Sequence, residues 1–430
     1  MATLLYEPYF EPEALANVKF YRYSAVDKSL IYNHVLRHWA DLAVKVFPMW
    51  VAPNVITLSG FGFIALNIVA LSLYAPDLFG PGPSWLYLSF AVGLFLYQTF
   101  DNVDGKQARR TGTSSALGHI FDHTIDSLNC SLGGLIQVVS LSVGARPLSI
   151  FLTLVGCAAM WFSTWEEYHT GTLYLGYFNG PTEGVLIACA IHVISAVFGP
   201  QIWLRPLQSF GLLKWVSPTF TLQDVVVFMA LFSLVAIHIP ECILNVYKKR
   251  REASQAFLPT LSQHAPFFTF LFLACSWPLS PSSRILSVHD PDVLGGLIEY
   301  TLLLTFSFGK LGPRIILARL TRSPFPWFNY GAFAPLAIGV VYVNGVRYVP
   351  GFEYNESTER FILHSALLFS AFAFLHWAFH LIRGFTSTLN IGCFTIRPNN
   401  RMVNGNGRAV GPNGIVLQHL KAKNSVDYHA

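Results

Sequence analysis

Long apolar runs separated by short polar connections fill almost the whole chain. Ten of them are long enough to read as helices embedded in lipid, near 53–75, 84–100, 116–143, 148–165, 183–199, 224–246, 258–279, 294–312, 329–344 and 361–382. The eighth is interrupted by Gly309, Lys310 and Pro313 at its end. Their length and their lack of strict alternation exclude a membrane β-barrel, and no 20–50-residue period suggests a solenoid. Before the first run, residues 29–47 place Leu30, Val35, Trp39, Leu42 and Val46 at helical spacing with polar residues opposite. That pattern predicts an amphipathic helix lying in the membrane interface, packed on the bundle, or both. The fold expected is therefore an all-α polytopic membrane protein of ten transmembrane helices with an N-terminal interfacial helix.

Composition agrees with lipid as the solvent. Of 430 residues, 53% are hydrophobic and only 12% charged, against about a quarter charged in ordinary soluble domains. The six cysteines fall mostly inside apolar runs and read as small core residues, neither a disulfide framework nor a zinc site. Lys and Arg cluster on alternate connections: Lys19 to Lys45, Lys106 to Arg110, Lys248 to Arg251, Lys310 to Arg322, and the tail from Arg383. The opposite connections hold only Arg146, Arg205, Lys214, Arg284, Arg347 and Arg360. By the positive-inside rule both termini are cytosolic, and the sequon Asn355-Glu356-Ser357 falls on the lumenal side. Four regions follow: a cytosolic segment 1–52, a membrane core 53–246, further transmembrane helices 247–385, and a polar Asn/Gly-rich tail 386–430, much of which is expected to be disordered.

Charge inside so apolar a chain marks function. The stretch "DNVDGKQARRTGTSSALGHIFDHTID" (101–126) carries Asp101 and Asp104 three apart, and Asp122 and Asp126 four apart. On helices both spacings put the carboxylates on one face. Four converging carboxylates repel unless cations lie among them, and oxygen-only ligands suit Mg²⁺, with Mn²⁺ as the alternative. Two such ions bridge a diphosphate. Gly105, Ala108 and Gly118 leave room for a nucleotide close to the backbone, while Lys106 and Arg109 offer donors for phosphate oxygens. Taken singly, each residue also has a packing or anchoring explanation; together they are far more specific.

The spacing Asp-x2-Asp-Gly-x2-Ala-Arg-x8-Gly-x3-Asp-x3-Asp resembles that of the CDP-alcohol phosphotransferases, with Asp101, Asp104, Gly105, Ala108, Arg109, Gly118, Asp122 and Asp126 at every fixed position. "APNVITLSG", "GLFLYQTFD", "GKQARRTG", "FDHTIDS" and "GPTEG" look like the eukaryotic choline/ethanolamine phosphotransferases, and "STWEEYHT" looks like their fungal branch. These words span about residues 15–185, which places the catalytic core in the first six spans. The resemblance implies transfer of phosphocholine or phosphoethanolamine from CDP-choline or CDP-ethanolamine to diacylglycerol, releasing CMP. It also implies two Mg²⁺ ions on the four aspartates, and Asn54, Lys106 and Arg109 seating the CDP group. Membrane lipids, no nucleic acid and a second copy in a homodimer complete the implied partners, in the endoplasmic reticulum or Golgi membrane.

His123 is the natural proton acceptor for the lipid hydroxyl, since histidine titrates nearest neutrality. Glu183 of "GPTEG" is expected to orient it, or else to cap its own helix. One departure stands out: His119 replaces the glutamate of the family's Gly-Glu-Leu-Phe-Asp-His. His119 and His123 have a zinc-compatible i,i+4 spacing, but His119 reads better as an exposed or supporting residue. Trp161, Trp165 and Tyr168 are expected at the interface as anchors, with a cation–π cage for choline as the alternative, and His169 as a polar loop residue. Two competing functions keep the aspartates: a CDP-diacylglycerol-dependent phospholipid synthase and a transporter. A transporter needs a midplane site and often inverted repeats, whereas this cluster sits at one face.

Overall fold

The computed structural model describes residues 11–177, 180–211, 217, 219–287, 295–349, 351, 353–397, 402–403 and 409–410. A helix stands at each of the ten apolar runs. Ahead of them, α1 (Arg37–Ala43) follows a widened turn at Tyr32–Leu36. The first half continues with α2 (Pro53–Tyr74), α3 (Ser84–Thr111), α4 (Ala116–Ser140), α5 (Pro147–Thr170) and α6 (Val185–Phe198). Next come α7 (Leu222–Phe232), α8 (Ile239–Glu252), α9 (Ala265–Ser276), α10 (Gly296–Leu311), α11 (Pro313–Thr321), α12 (Tyr330–Tyr348) and α13 (Glu356–Leu389). Among the described residues six helical stretches are long and apolar enough to cross a membrane: 53–74, 147–170, 181–198, 222–252, 296–321 and 356–389. The chain is a polytopic membrane protein.

Packing follows the small residues. Helix α2 packs on α3 and α4, α4 on α5, and α3 on α6. A methyl group added at Gly134 would lie 2.6 Å from Thr153 Cα, and one at Gly156 2.9 Å from the Cys130 carbonyl. Glycine therefore lets α4 and α5 approach backbone to backbone, as small residues do between helices in lipid. Gly309 acts likewise, since a Cβ there would meet Leu128 at 2.5 Å. The apparent break at Gly309–Pro313 is thus where α10 leans on α4, and helix resumes at once as α11. All six cysteines are free.

The N-terminal segment is fitted to one end of this bundle. Ala40 and Val44 bury against Ile56 and Val103, whereas Leu30, Val35, Trp39, Leu42 and Val46 stay exposed. Docking on the bundle and an outward apolar face coexist in one helix. A short strand, β1 (Ala25–Asp27), pairs in parallel with β2 (Leu173–Leu175), just beyond α5. This pairing carries Tyr21 and Tyr23 over the α4–α5 contact.

The first part of the polar tail is ordered against the bundle. Helix α13 runs to Leu389, and Asn54 donates to the Cys393 carbonyl at 3.1 Å. The ring of Phe394 packs edge-on against Phe121. Met402–Val403 pairs with Ala409–Val410; most of the remaining tail lies outside the described residues.

Candidate active site

The site forms where α3 ends and α4 begins. Gly112 caps α3 in a left-handed conformation (φ 69°), which glycine adopts without steric cost. Ser115 then caps α4 by accepting from the Gly118 amide at 3.2 Å. So tight a turn sets the last three turns of α3 beside the first three of α4. Oxygens of Asp101, Asp122 and Asp126 consequently lie within 4.8 Å of one another. Asp122 Oδ1 is buried and has no hydrogen-bond partner among the described residues. A buried anionic oxygen without a donor, beside two more carboxylates, fits a divalent cation.

Two hydroxyls hold the flanking carboxylates. Thr57 of α2 donates to Asp104 Oδ2 at 2.5 Å, and Tyr97 of α3 donates to Asp126 Oδ1. Asp104 stands beside the group of three, with one oxygen committed to Thr57. Neither hydroxyl was singled out in the sequence, where each lies in an apolar run with nothing to tie it to a carboxylate.

The residues expected around a nucleotide lie on the helices that carry this cluster or on α2 beside them. Arg109 is exposed, and a Cβ on Gly105 would lie 3.5 Å from its Nη1. Gly118 faces Asn54, with 3.7 Å from a built Cβ to Asn54 Oδ1. Ala108 lies one turn beyond Gly105 and is partly buried, its carbonyl accepting from Thr113 at 2.9 Å. Lys106 is paired with Asp41 of α1 at 2.6 Å. That partner depresses the Asp41 carboxyl below its ordinary range.

His123 is buried on α4 next to Asp122, with a carboxylate against it that the sequence did not single out. Glu167, in the last turn of α5, has Oε2 3.3 Å from His123 Nε2. Its Oε1 takes a hydrogen bond from His119 Nε2 at 2.9 Å and an ion pair from Arg319 of α11. Arg319 also donates to the Gly171 carbonyl. Glu183, the partner expected from the sequence, accepts from the buried Ser29 hydroxyl at 2.5 Å, in a turn (Gly180–Gly184) that Gln98 of α3 ties down through the Pro181 carbonyl.

His119 is accordingly buried rather than exposed, with Tyr21 stacked on it at 5.4 Å between ring centroids. Burial and the Glu167 carboxylate push the Tyr21 phenol up, so it stays neutral. Glu167 also completes a three-ligand set with the two histidines, all within 4.8 Å. Arg319 already supplies the cation that this carboxylate needs, which leaves zinc without an electrostatic role there. The signal for Glu167 in the sequence was its acidity near the end of an apolar span.

Trp161 and Trp165 are neither interfacial anchors nor a cage. Both are fully buried, donating to His264 Nδ1 at 3.1 Å and Gln263 Oε1 at 3.0 Å. His169 is helical and lies 2.7 Å from Gln263 Oε1. Tyr168 packs edge-on against Phe325.

Helices that span a membrane, with a cation-ready acidic cluster at one end and a buried His–Glu–Arg assembly beside it, define a membrane-embedded transferase site for an anionic substrate. Comparisons give the family. The CDP-alcohol phosphatidyltransferase family model matches residues 50–280. Cholinephosphotransferase 1 of Saccharomyces cerevisiae is 34% identical over 347 residues, covering 78% of this chain and 85% of the yeast protein. Choline/ethanolaminephosphotransferase 1 of Arabidopsis thaliana is 33% identical over 393 residues, or 90% and 98% of the two chains. Ethanolaminephosphotransferase 1 of Homo sapiens is 28% identical over 406 residues, 91% and 96%. The chain belongs to the CDP-alcohol phosphatidyltransferase family and is an enzyme of its choline/ethanolamine phosphotransferase branch.

Proposed function

We propose that the enzyme transfers phosphocholine, phosphoethanolamine or both from the CDP-alcohol to the free hydroxyl of diacylglycerol, giving phosphatidylcholine or phosphatidylethanolamine and CMP. The observation that carries this reading is the convergence of Asp101, Asp122 and Asp126 within 4.8 Å, with His123 on the same helix as Asp122 and Asp126. Two Mg²⁺ ions (or Mn²⁺) held by Asp101, Asp104, Asp122 and Asp126 would neutralise the diphosphate and the charge developing on CMP. Thr57 and Tyr97 aim the carboxylates, while Arg109, Asn54 and Lys106 bind the phosphates and cytidine. Gly105, Ala108 and Gly118 admit the nucleotide to the helix surface.

His123 takes the proton from the lipid hydroxyl as its oxygen bonds to the phosphorus that carries the alcohol. The bond from that phosphorus to the CMP oxygen breaks, and CMP leaves with the electron pair. The apolar face of α1 lies in the interface on the side where diacylglycerol arrives. The proposed setting is the endoplasmic reticulum or Golgi membrane, with both termini and the site cytosolic and two copies forming a homodimer.

The test is turnover by the purified full chain in lipid with labelled CDP-choline, CDP-ethanolamine and CDP-diacylglycerol. Product is expected from one or both of the first two when diacylglycerol is present. Turnover of CDP-diacylglycerol alone would overturn the reading in favour of a CDP-diacylglycerol-dependent synthase.

A further inference from the structure

The structure assigns Glu167 as the positioning residue for His123, holding the imidazole with Nε2 protonated so that Nδ1 is the atom that receives the substrate's proton. This inference rests on the base role given above to His123 and specifies how the base is set.

Three observations lead to it. First, among the described residues the carboxylate of Glu167 faces His123 Nε2 at 3.3 Å. A hydrogen on that nitrogen points toward an anion, whereas a lone pair there would face one, and the tautomer follows. Second, His123 Nδ1 is buried and has no hydrogen-bond partner among the described residues, and neither has Glu167 Oε2. Buried polar atoms left this way are costly unless a ligand or a small rotation satisfies them. Rotation of the imidazole to align Nε2–H with Oε2 leaves Nδ1 for the substrate, as expected where a catalytic hydrogen bond tightens on substrate binding.

Third, Glu167 is itself held in place. Its side chain is 1% exposed. Oε1 is fixed by His119 Nε2 at 2.9 Å and by Arg319, which is anchored on the Gly171 carbonyl. His119 is in turn stacked under Tyr21. With Oε1 fully engaged, Oε2 is the oxygen left for His123. Arg319 neutralises the carboxylate, so Glu167 remains charged at depth without a further partner. His119 thus anchors the residue that orients the base, and the second half of the chain reaches the reaction through Arg319.

The experiment compares E167A, E167Q and H123A, singly and with E167A and H123A combined, in the full chain in lipid. The substrate is CDP-choline or CDP-ethanolamine, whichever is turned over. E167A is expected to lower kcat about 10- to 100-fold, as removal of a supporting carboxylate does, with KM for the CDP-alcohol changed less than about twofold. E167Q, whose amide oxygen still accepts from Nε2–H, should recover most of kcat. Adding E167A to H123A should cost nothing more, because the residue it positions is gone.

H123A inactive with both Glu167 variants at wild-type kcat would overturn the positioning assignment. So would an E167Q that stays folded but raises KM as much as it lowers kcat, which marks a merely structural residue. Wild-type turnover by H123A would sink the base reading instead. E167Q serves where E167A fails to fold around the unpaired Arg319.

Discussion

Tyr97 of α3 donates its hydroxyl hydrogen to Asp126 of α4, so the outer carboxylate of the acidic cluster is aimed by the neighbouring helix. Thr57 of α2 does the same for Asp104 at 2.5 Å. Each donor occupies one oxygen and leaves the other for a cation, so three helices fix the geometry of one site. Tyr97→Phe and Thr57→Val keep the shape and remove only the hydroxyl. Supporting hydrogen bonds of this kind are worth about 10- to 100-fold in metal affinity. Each variant should raise the Mg²⁺ concentration for half-maximal activity by at least about 10-fold, with maximal rate partly restored at high Mg²⁺. An unchanged Mg²⁺ titration curve would separate these hydroxyls from the metal site.

Asp104→Asn and Asp126→Asn should abolish turnover while leaving a folded protein. The side chains keep their volume, and the amide still accepts from Thr57 or Tyr97. Four close carboxylates become three, so the empty site gains from lost repulsion and thermal stability without Mg²⁺ should not fall. The catalytic loss should be at least about 10³-fold, since a metal supplies several kcal/mol of charge stabilisation. Chelation should silence the wild type reversibly, with Mg²⁺ restoring it. Turnover by either variant near the wild-type rate would rule out the two-metal assignment.

The acidic cluster and the ten apolar runs were legible because each depends on short-range spacing. Residues three or four apart share a helix face wherever that helix packs, and an apolar run announces itself without a partner. The assembly around His123 was not legible for the opposite reason. His119 and Glu167 are 48 residues apart, and Glu167 and Arg319 are 152 apart. They meet only because Gly134 and Gly156 let α4 and α5 touch and because α10 leans on α4 at Gly309. Sequence reasoning therefore offered His123 a glutamate from a recognised word, Glu183, and had no means of seeing Glu167, which packing brings against it. The same lack of tertiary knowledge put Trp161 and Trp165 at the interface. Both lie at the end of a span, yet the segment carrying Gln263 and His264 covers them.

Gly118→Ala separates a glycine needed for the fold from one needed for a ligand. An added methyl would sit 3.7 Å from both Asn54 Oδ1 and Ser115 Oγ, an ordinary contact. Its backbone is helical, and alanine favours a helix by up to about 1 kcal/mol over glycine. Melting temperature should therefore hold or rise. If the CDP group passes over this face, KM for the CDP-alcohol should rise at least about 10-fold. A variant with higher stability and unchanged KM would place the nucleotide elsewhere.

Lys106 provides the sharpest test of how the nucleotide is seated, because it is already engaged. It pairs with Asp41 at 2.6 Å, tying α1 to the end of α3. The Asp41 side chain is 55% exposed, so the pair adds little to stability, roughly 0–1 kcal/mol. A phosphate that recruits Lys106 must compete with Asp41 for it. Asp41→Asn should then lower KM for the CDP-alcohol by about two- to fivefold with almost no change in melting temperature, and Lys106→Ala should raise it. The sign with pH follows: Lys106 depresses the Asp41 pKa, so the pair's small contribution is present above the ordinary carboxylate value and lost as pH falls through the lower folded value. Across the neutral range the competition stays constant, and the ratio of KM between wild type and Asp41→Asn should not vary with pH. Added salt should shrink that ratio by screening the exposed pair. A ratio of one at all salt concentrations would show that Lys106 stays with Asp41 and that Arg109 alone binds the diphosphate from this end of α3.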